Sequence, residues 1–193
     1  MKLLISMRER AGEDTLERKY ISFFSNRGFH VVPVPNDVEN LECLMIEADG
    51  FVLSGGGDVG KQKNRDKVEK RMLEFAIQNN IPVFGICRGM QFINCYFGGS
   101  LRKINHHVRK EHNVYVKKVL KNNTYLVNSF HDYSIDTLGK ELEVFATTHN
   151  GEIEGIYNDL LLAVQWHPER MFIPTQLDEN LINLFKKRIE ERL

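Results

Sequence analysis

The sequence predicts an α/β fold: a mostly parallel central sheet with helices on both faces, plus antiparallel strands in the C-terminal half. Three observations carry that expectation. Apolar strand-like runs alternate with amphipathic helical stretches up to Tyr96. The run 81–84 passes at once through Gly85-Ile86-Cys87-Arg88-Gly89 into another helical stretch. Beyond Gly98-Gly99 the rhythm changes to five strand-like runs with short links.

Taken in order, 2–6 is a short buried strand. Residues 13–27 read as a helix with Leu16, Tyr20, Phe23 and Phe24 on one face, stopped by Gly28. A strand at 29–34, marked by Pro33 and Pro35, and a short helix at 39–47 follow. The strand 51–53 runs into Ser54-Gly55-Gly56-Gly57-Asp58. Residues 66–78 form a helix with Val68, Met72, Leu73, Phe75 and Ala76 inward, ended by Asn79 and Asn80. After the strand at 81–84 and its helix come strands at 113–120, 125–128, 142–147, 152–157 and 160–165, the last rejoining the main sheet. Asp178 is the expected N-cap of a final helix burying Leu181, Ile182, Leu184, Phe185 and Ile189.

A chain of 193 residues without repeats or low-complexity linkers suits one domain over 1–193. Lys plus Arg and Asp plus Glu number 26 each, which argues against nucleic acid or membrane as partner. Three cysteines outside any paired framework suit a reducing compartment, and the apolar run after Met1 is too short for a signal peptide, so a cytoplasmic location is expected. No stretch approaches transmembrane length.

The Gly-x-Cys-x-Gly turn between strand and helix has the form of a nucleophile elbow, which holds its central residue up in a strained position. The helix after it aims its unpaired N–H groups and positive dipole end at Cys87, favouring thiolate. The alternative is a buried, inert thiol. A base is available in Gln165-Trp166-His167-Pro168-Glu169, where a proline disfavours helix and lets His167 and Glu169 project the same way. Cys87, His167 and Glu169 are thus the candidate catalytic residues of a cysteine hydrolase. The Gly55-Gly56-Gly57 loop follows a strand expected beside the elbow. Its N–H groups, Gly56 above all, together with that of Arg88 can form an oxyanion hole. Cys43 and Cys95 read as core positions. His106, His107 and His112 read as loop histidines, so no metal and no cofactor is expected.

The motifs 85–91, Phe97-Gly98-Gly99-Ser100-Leu101 and Val164-Gln165-Trp166-His167-Pro168-Glu169 resemble the class I glutamine amidotransferase fold, and most of all its free-standing γ-glutamyl hydrolase branch. Arg65-Asp66 with Glu69 fits that branch, and the resemblance covers nearly the whole chain. It implies Cys87 as nucleophile, His167 as base and Glu169 as orienter. It also implies Gly56 and Arg88 as oxyanion donors, and Gln91, Ser129, Phe130 and His131 as contacts to the glutamyl group. Departures are the short stretch 58–64, Asp132-Tyr133 where the branch often has His-Gln, and Asn150-Gly151 where Asp-Gly is common.

The implied substrate is a small-molecule γ-glutamyl amide, with no obligate protein partner expected. Lys61, Lys63, Arg65 and Lys67 in one loop, and Arg102, Lys103, Arg109 and Lys110 in another, read either as solvated surface or as a site for an anionic leaving group. On the second reading the chain is similar to hydrolases that release cytidine diphosphoramidate from a γ-glutamyl conjugate in capsular polysaccharide modification. The competing readings are a γ-glutamyl polyamine or aminobutyrate hydrolase, and a glutaminase subunit supplying ammonia to a separate synthase.

Overall fold

The structure is a computed structural model that describes every residue except Val38, Asn105, His106, His107, Phe172 and Leu193, and leaves out the side chains of Val108 and Arg109. The chain opens with β1 (Lys2–Ser6), a small hairpin β2 (Arg8–Arg10) and β3 (Glu13–Thr15), then α1 (Arg18–Ser25) and β4 (His30–Val34). Next come α2 (Leu41–Met45), β5 (Gly50–Leu53), α3 (Lys63–Asn79), β6 (Val83–Ile86) and α4 (Arg88–Tyr96). The second half holds β7 (Ser100–Lys103), β8 (Val108–Val116), β9 (Asn123–Phe130), β10 (Tyr133–Thr137), β11 (Glu143–Thr148), β12 (Ile153–Tyr157) and β13 (Leu161–Val164). A 3₁₀ turn at Pro168–Arg170 and α5 (Gln176–Arg192) complete the order.

Nine strands form one sheet in the order β4-β1-β5-β6-β13-β12-β11-β8-β9. The five from β4 to β13 pair in parallel, and β12, β11, β8 and β9 continue the sheet antiparallel. The expected fold class is therefore observed, with the C-terminal strand returning beside the elbow strand.

The parallel strands read as continuous apolar runs because both faces are covered. Their side chains alternate between two cores. Leu3, Ile5, Val52, Phe84, Ile86, Leu162 and Val164 face α1 and α5, through Phe24 and Phe185 among others. Leu4, Phe51, Leu53, Val83, Leu161 and Ala163 face α2, α3 and α4, through Met45, Met72 and Ile93 among others. Phe84 stands between Phe24 and Phe185, with ring centroids 6.4 and 5.6 Å away.

Several local expectations are corrected. The helix expected over 13–27 begins only at Arg18, because residues 13–15 pair with 8–10 across Ala11 and Gly12, both at positive φ as a two-residue hairpin turn requires. Asp178 lies inside α5 and not at its cap. Thr175 precedes the helix: its Oγ1 accepts from Asp178 N at 3.2 Å, while Asp178 Oδ2 accepts from Thr175 N at 2.9 Å, a capping box with Asp in place of Glu. β7 and β10, absent from the sequence reading, pair with each other beyond α4. Cys43 is exposed and Cys95 half-buried, so neither is a core residue. No helix among the described residues is long and apolar enough to cross a membrane.

Candidate active site

β5, β6 and β13 are neighbours, and the segments leaving their C-terminal ends are the glycine loop, the Cys87 elbow and the His167 segment. Open parallel sheets place ligands at that edge. Cys87 has φ 52° and ψ −103°, a conformation that costs an L-residue about 1–3 kcal/mol and persists only when its surroundings enforce it. The enforcement is visible. Cys87 N donates to Val164 O at 2.7 Å, and Gln91 N donates to Cys87 O at 3.1 Å. A Cβ on Gly89 would sit 2.1 Å from Leu53 O, and one on Gly85 would sit 2.8 Å from Ile93 Cδ1. The two glycines let helix, elbow and strand converge.

His167 is held from both sides. Asn128, on β9, accepts from His167 N at 2.9 Å and donates to His167 O at 2.7 Å. The preceding Trp166 is fully buried, and its Nε1 donates to Asp178 Oδ1 at 2.9 Å, tying the segment to α5. The His167 ring lies edge-on to Phe130, with centroids 5.8 Å apart. His167 Nδ1 is 2.7 Å from Glu169 Oε1, and since an ionised carboxylate only accepts, Nδ1 carries the proton. That leaves Nε2 for Cys87, which lines the same cavity.

Burial pushes the Cys87 thiol up, but the adjacent His167 and then the His131 charge outweigh it, leaving the thiol below its ordinary value. Burial lowers His167, but the charges of Glu169 and Cys87 raise it to about 10. Both directions favour a thiolate–imidazolium pair at neutral pH. Tyr20, whose hydroxyl accepts from Gly55 N at 2.8 Å, is raised well above its usual range by burial and then by the Glu169 charge.

Behind the glycine loop lies a buried ion network. Arg65, fully buried, donates to the carbonyls of Ser54 and Gly56, both at 2.6 Å, and to Glu69 Oε1 at 2.8 Å. Arg88 binds Glu69 and Asp66 with its two terminal nitrogens. Ser6 Oγ donates to the same Glu69 at 2.7 Å. One carboxylate thus joins the loop-holding arginine to the residue that follows Cys87. Burial pushes Glu69 up, and the charges of Arg65 and Arg88 reverse the shift to below its usual range.

Gly56, Cys87, Gln91, Phe130, His131 and His167 line one cavity of about 150 Å³. Ser129 is buried and does not line it. Gln91 Nε2 donates to Tyr133 O at 3.2 Å. Sequence reasoning missed Asp58 and Arg170 on the cavity wall, and Gln165, whose Nε2 lies 3.6 Å from Cys87 Sγ. It also missed Asn128 and Glu154. Gln165 adjoins the quoted Trp-His motif and Asn128 adjoins Ser129, so proximity to a motif was the one available signal.

The basic loops are rearranged relative to expectation. Arg65 is buried in the ion network and Lys63 opens α3, so 61–67 is not a free basic loop. Arg102 is engaged by Glu152 and lies 3.9 Å from Asp136. Lys110 lines a cleft of about 710 Å³ that shares Phe130 and Arg170 with the Cys87 cavity. His106 and His107 lie outside the described residues, as does the Arg109 side chain; His112 is not a loop histidine but sits on β8 opposite Val127, with its Nε2 3.4 Å from Glu154.

Known proteins share this chain's sequence and fold. The glutamine amidotransferase-like protein YvdE of Lactococcus lactis is 31% identical, over 87% of this chain and 86% of its own length. The gamma-glutamyl-CDP-amidate hydrolase of Campylobacter jejuni is 32% identical over 62% of this chain and 61% of its own. Among solved structures, a GMP synthase subunit of Thermoplasma acidophilum superposes with TM-score 0.81 at 22% identity, covering 99% of this chain and 94% of that one. A glutamine amidotransferase of Thermotoga maritima superposes with TM-score 0.67 at 23% identity, covering 99% and 84%. These two show a common fold. The model of the Peptidase C26 family matches residues 5–169. With the elbow, the sheet order and the sequence relatives in agreement, the chain belongs to the Peptidase C26 family, hydrolases of the class I glutamine amidotransferase-like fold.

Proposed function

We propose that the protein hydrolyses a γ-glutamyl amide through a covalent thioester at Cys87, with His167 as acid and base and Glu169 as its orienter. The observation that carries this reading is the placement of a lowered Cys87 thiol and a raised His167 on one small cavity, with the Glu169 carboxylate bonded to the far nitrogen of His167. The Cys87 sulfur bonds to the γ-carbon, and the carbonyl electron pair moves onto oxygen. Arg65 also draws the Gly55 carbonyl toward itself, at 3.4 Å, and the planar trans peptide then directs the Gly56 N–H away from the arginine. The Gly56 and Arg88 N–H groups would receive the oxyanion. As the intermediate collapses, the C–N bond breaks and the amine nitrogen takes the proton from His167 Nε2. Water then gives a proton to His167 and attacks the thioester, releasing glutamate and the Cys87 thiolate. Gln91, Phe130 and His131 wall the glutamyl side of the cavity.

For the leaving group we propose an anionic phosphoramidate such as γ-glutamyl-CDP-amidate. Two features support it: the Campylobacter jejuni relative, and the cations Arg170 and Lys110 on the cleft that adjoins the cavity. Each charge-assisted contact to phosphate contributes about 1.5–3 kcal/mol, roughly ten- to more than hundredfold in specificity. The test is glutamate release from a panel containing γ-glutamyl-CDP-amidate, γ-glutamyl-aminobutyrate and glutamine. The phosphoramidate should be preferred, and Lys110→Glu should hurt it while sparing glutamine. Preference for the aminobutyrate conjugate, whose leaving group carries a carboxylate and no phosphate, would leave the γ-glutamyl hydrolase reading and remove the phosphoramidate one. Glutamine hydrolysis that appears only with a copurifying protein would point instead to an ammonia-supplying subunit.

A further inference from the structure

Glu154, on β12, is fully buried, and its two carboxylate oxygens face two histidines. Oε1 lies 3.4 Å from His131 Nε2, and Oε2 lies 3.4 Å from His112 Nε2. The two rings are edge-on, with centroids 6.5 Å apart. His131 is 3% exposed and reaches the Cys87 cavity. Its other nitrogen, Nδ1, is 2.9 Å from the carbonyl oxygen of Tyr133. A carbonyl can only accept, so Nδ1 carries a proton. Nε2 faces the Glu154 carboxylate as an ion pair, too long for a hydrogen bond, and that negative charge favours a proton there as well. A histidine with a proton on each nitrogen is a cation.

We infer that Glu154 is a positioning residue that holds His131 as a fixed imidazolium on the wall of the Cys87 cavity, so that a second positive charge besides His167 supports the thiolate. This rests on Cys87 being the reactive thiol. Nδ1 is bonded to the Tyr133 carbonyl and Nε2 stands against the Glu154 carboxylate, so the ring offers the cavity its charge and not a transferable proton. Division of labour follows: His167 moves the proton, and His131 stays charged through the cycle.

The surroundings of His131 are consistent with that state. On one side stand Glu154 and, behind it, His112; on the cavity side stand Cys87, His167, Arg170, Asp58 and Asp132. Burial lowers His131, but the Glu154 carboxylate, and then the Cys87 charge, raise it above its ordinary value. Burial raises Glu154, yet the adjacent His112 and His131 bring it below the usual carboxylate range.

The test needs no substrate. Alkylation of Cys87 by iodoacetamide is followed across pH on the full chain, by the mass of the Cys87 peptide, because Cys43 is exposed and reacts separately. In Glu154→Gln, His131 loses its counter-charge, and the acid limb of Cys87 alkylation should move up by about one pH unit, a roughly tenfold loss of rate on that limb. A loosened cavity without the electrostatic role would change the plateau rate and leave the limb in place. That outcome in a folded Glu154→Gln protein overturns the inference. The wild-type protein supplies a measurement independent of any variant: nitrogen NMR of His131 at pH 7.5 should show a doubly protonated ring, and a neutral tautomer there overturns the inference. Failure of the wild type to hydrolyse any γ-glutamyl amide would instead remove the proposed activity, and both measurements here would still read the His131 charge and its effect on Cys87.

Discussion

Arg65 donates to the carbonyl oxygen of Gly56 at 2.6 Å from a fully buried position, and the same guanidinium pairs with Glu69 at 2.8 Å. Gly56 has φ +89°, where a side chain is strained, so the loop owes its shape both to glycine and to the arginine that holds it. Arg65→Met removes the clamp and leaves Glu69 to Arg88 and the Ser6 hydroxyl. Truncating one partner of a buried pair costs about 3–5 kcal/mol. The expected result is a large drop in Tm, and in the folded fraction a kcat loss of about 10²-fold or more, as for loss of one oxyanion donor. A variant with wild-type kcat would detach the loop from catalysis.

Cys87 is held at positive φ for a reason that stability alone does not supply. Cys87→Gly relieves the backbone strain, and Cys87→Ala retains it. Both should abolish turnover. In thermal unfolding, Cys87→Gly should be at least as stable as Cys87→Ala, since glycine meets no steric penalty at that φ. A glycine variant well below the alanine variant would show that the elbow is not strained.

Gly89 has no such freedom to change. Its added Cβ would meet Leu53 O at 2.1 Å, which is backbone and cannot rotate away. Gly89→Ala should force α4 off the sheet and lower stability by more than about 1–3 kcal/mol, the usual cost of overpacking. Expression yield and urea midpoint check this, and a normal midpoint would contradict the close approach.

The pH dependence follows from the paired shifts. His167 is raised from 6.5 to about 10, so its contribution to stability is fully present below 6.5 and is lost as pH rises through about 10. Cys87 is lowered, so its contribution is present above its unfolded value and is lost as pH falls through its folded one. Activity, which needs thiolate and imidazolium together, should have its acid limb below the ordinary cysteine range and its basic limb near 10. The Glu169 charge is the largest raising influence on His167, so Glu169→Gln should move the basic limb to lower pH. A basic limb in Glu169→Gln that coincides with wild type would deny the carboxylate its electrostatic role.

Much of the architecture was legible because it is written locally. The parallel strands are short apolar runs whose alternate residues face two cores, and the Gly85–Gly89 spacing encodes a steric demand of adjacent backbone. The start of α1 was misread because Leu16, Tyr20, Phe23 and Phe24 continue a helical period into a segment whose backbone is claimed by Arg8–Arg10. What supports the site was harder to see. Asn128 clamps His167 from 39 positions away, and Glu154 meets His131 only because β12 and the segment after β9 fold against one cavity. Those partners are set by strand order, which periodicity does not encode. The charge of Arg65 was visible, but its burial follows from three carbonyls and a carboxylate converging on it.

The central claim is a γ-glutamyl thioester on Cys87, and intact-mass spectrometry of acid-quenched reactions tests it most directly. Wild-type protein mixed with a γ-glutamyl amide should carry a transient glutamyl adduct that maps to the Cys87 peptide, and Cys87→Ala should carry none and release no glutamate. Glutamate release by a folded Cys87→Ala protein, or an adduct mapped to any other residue, would contradict covalent catalysis at the elbow.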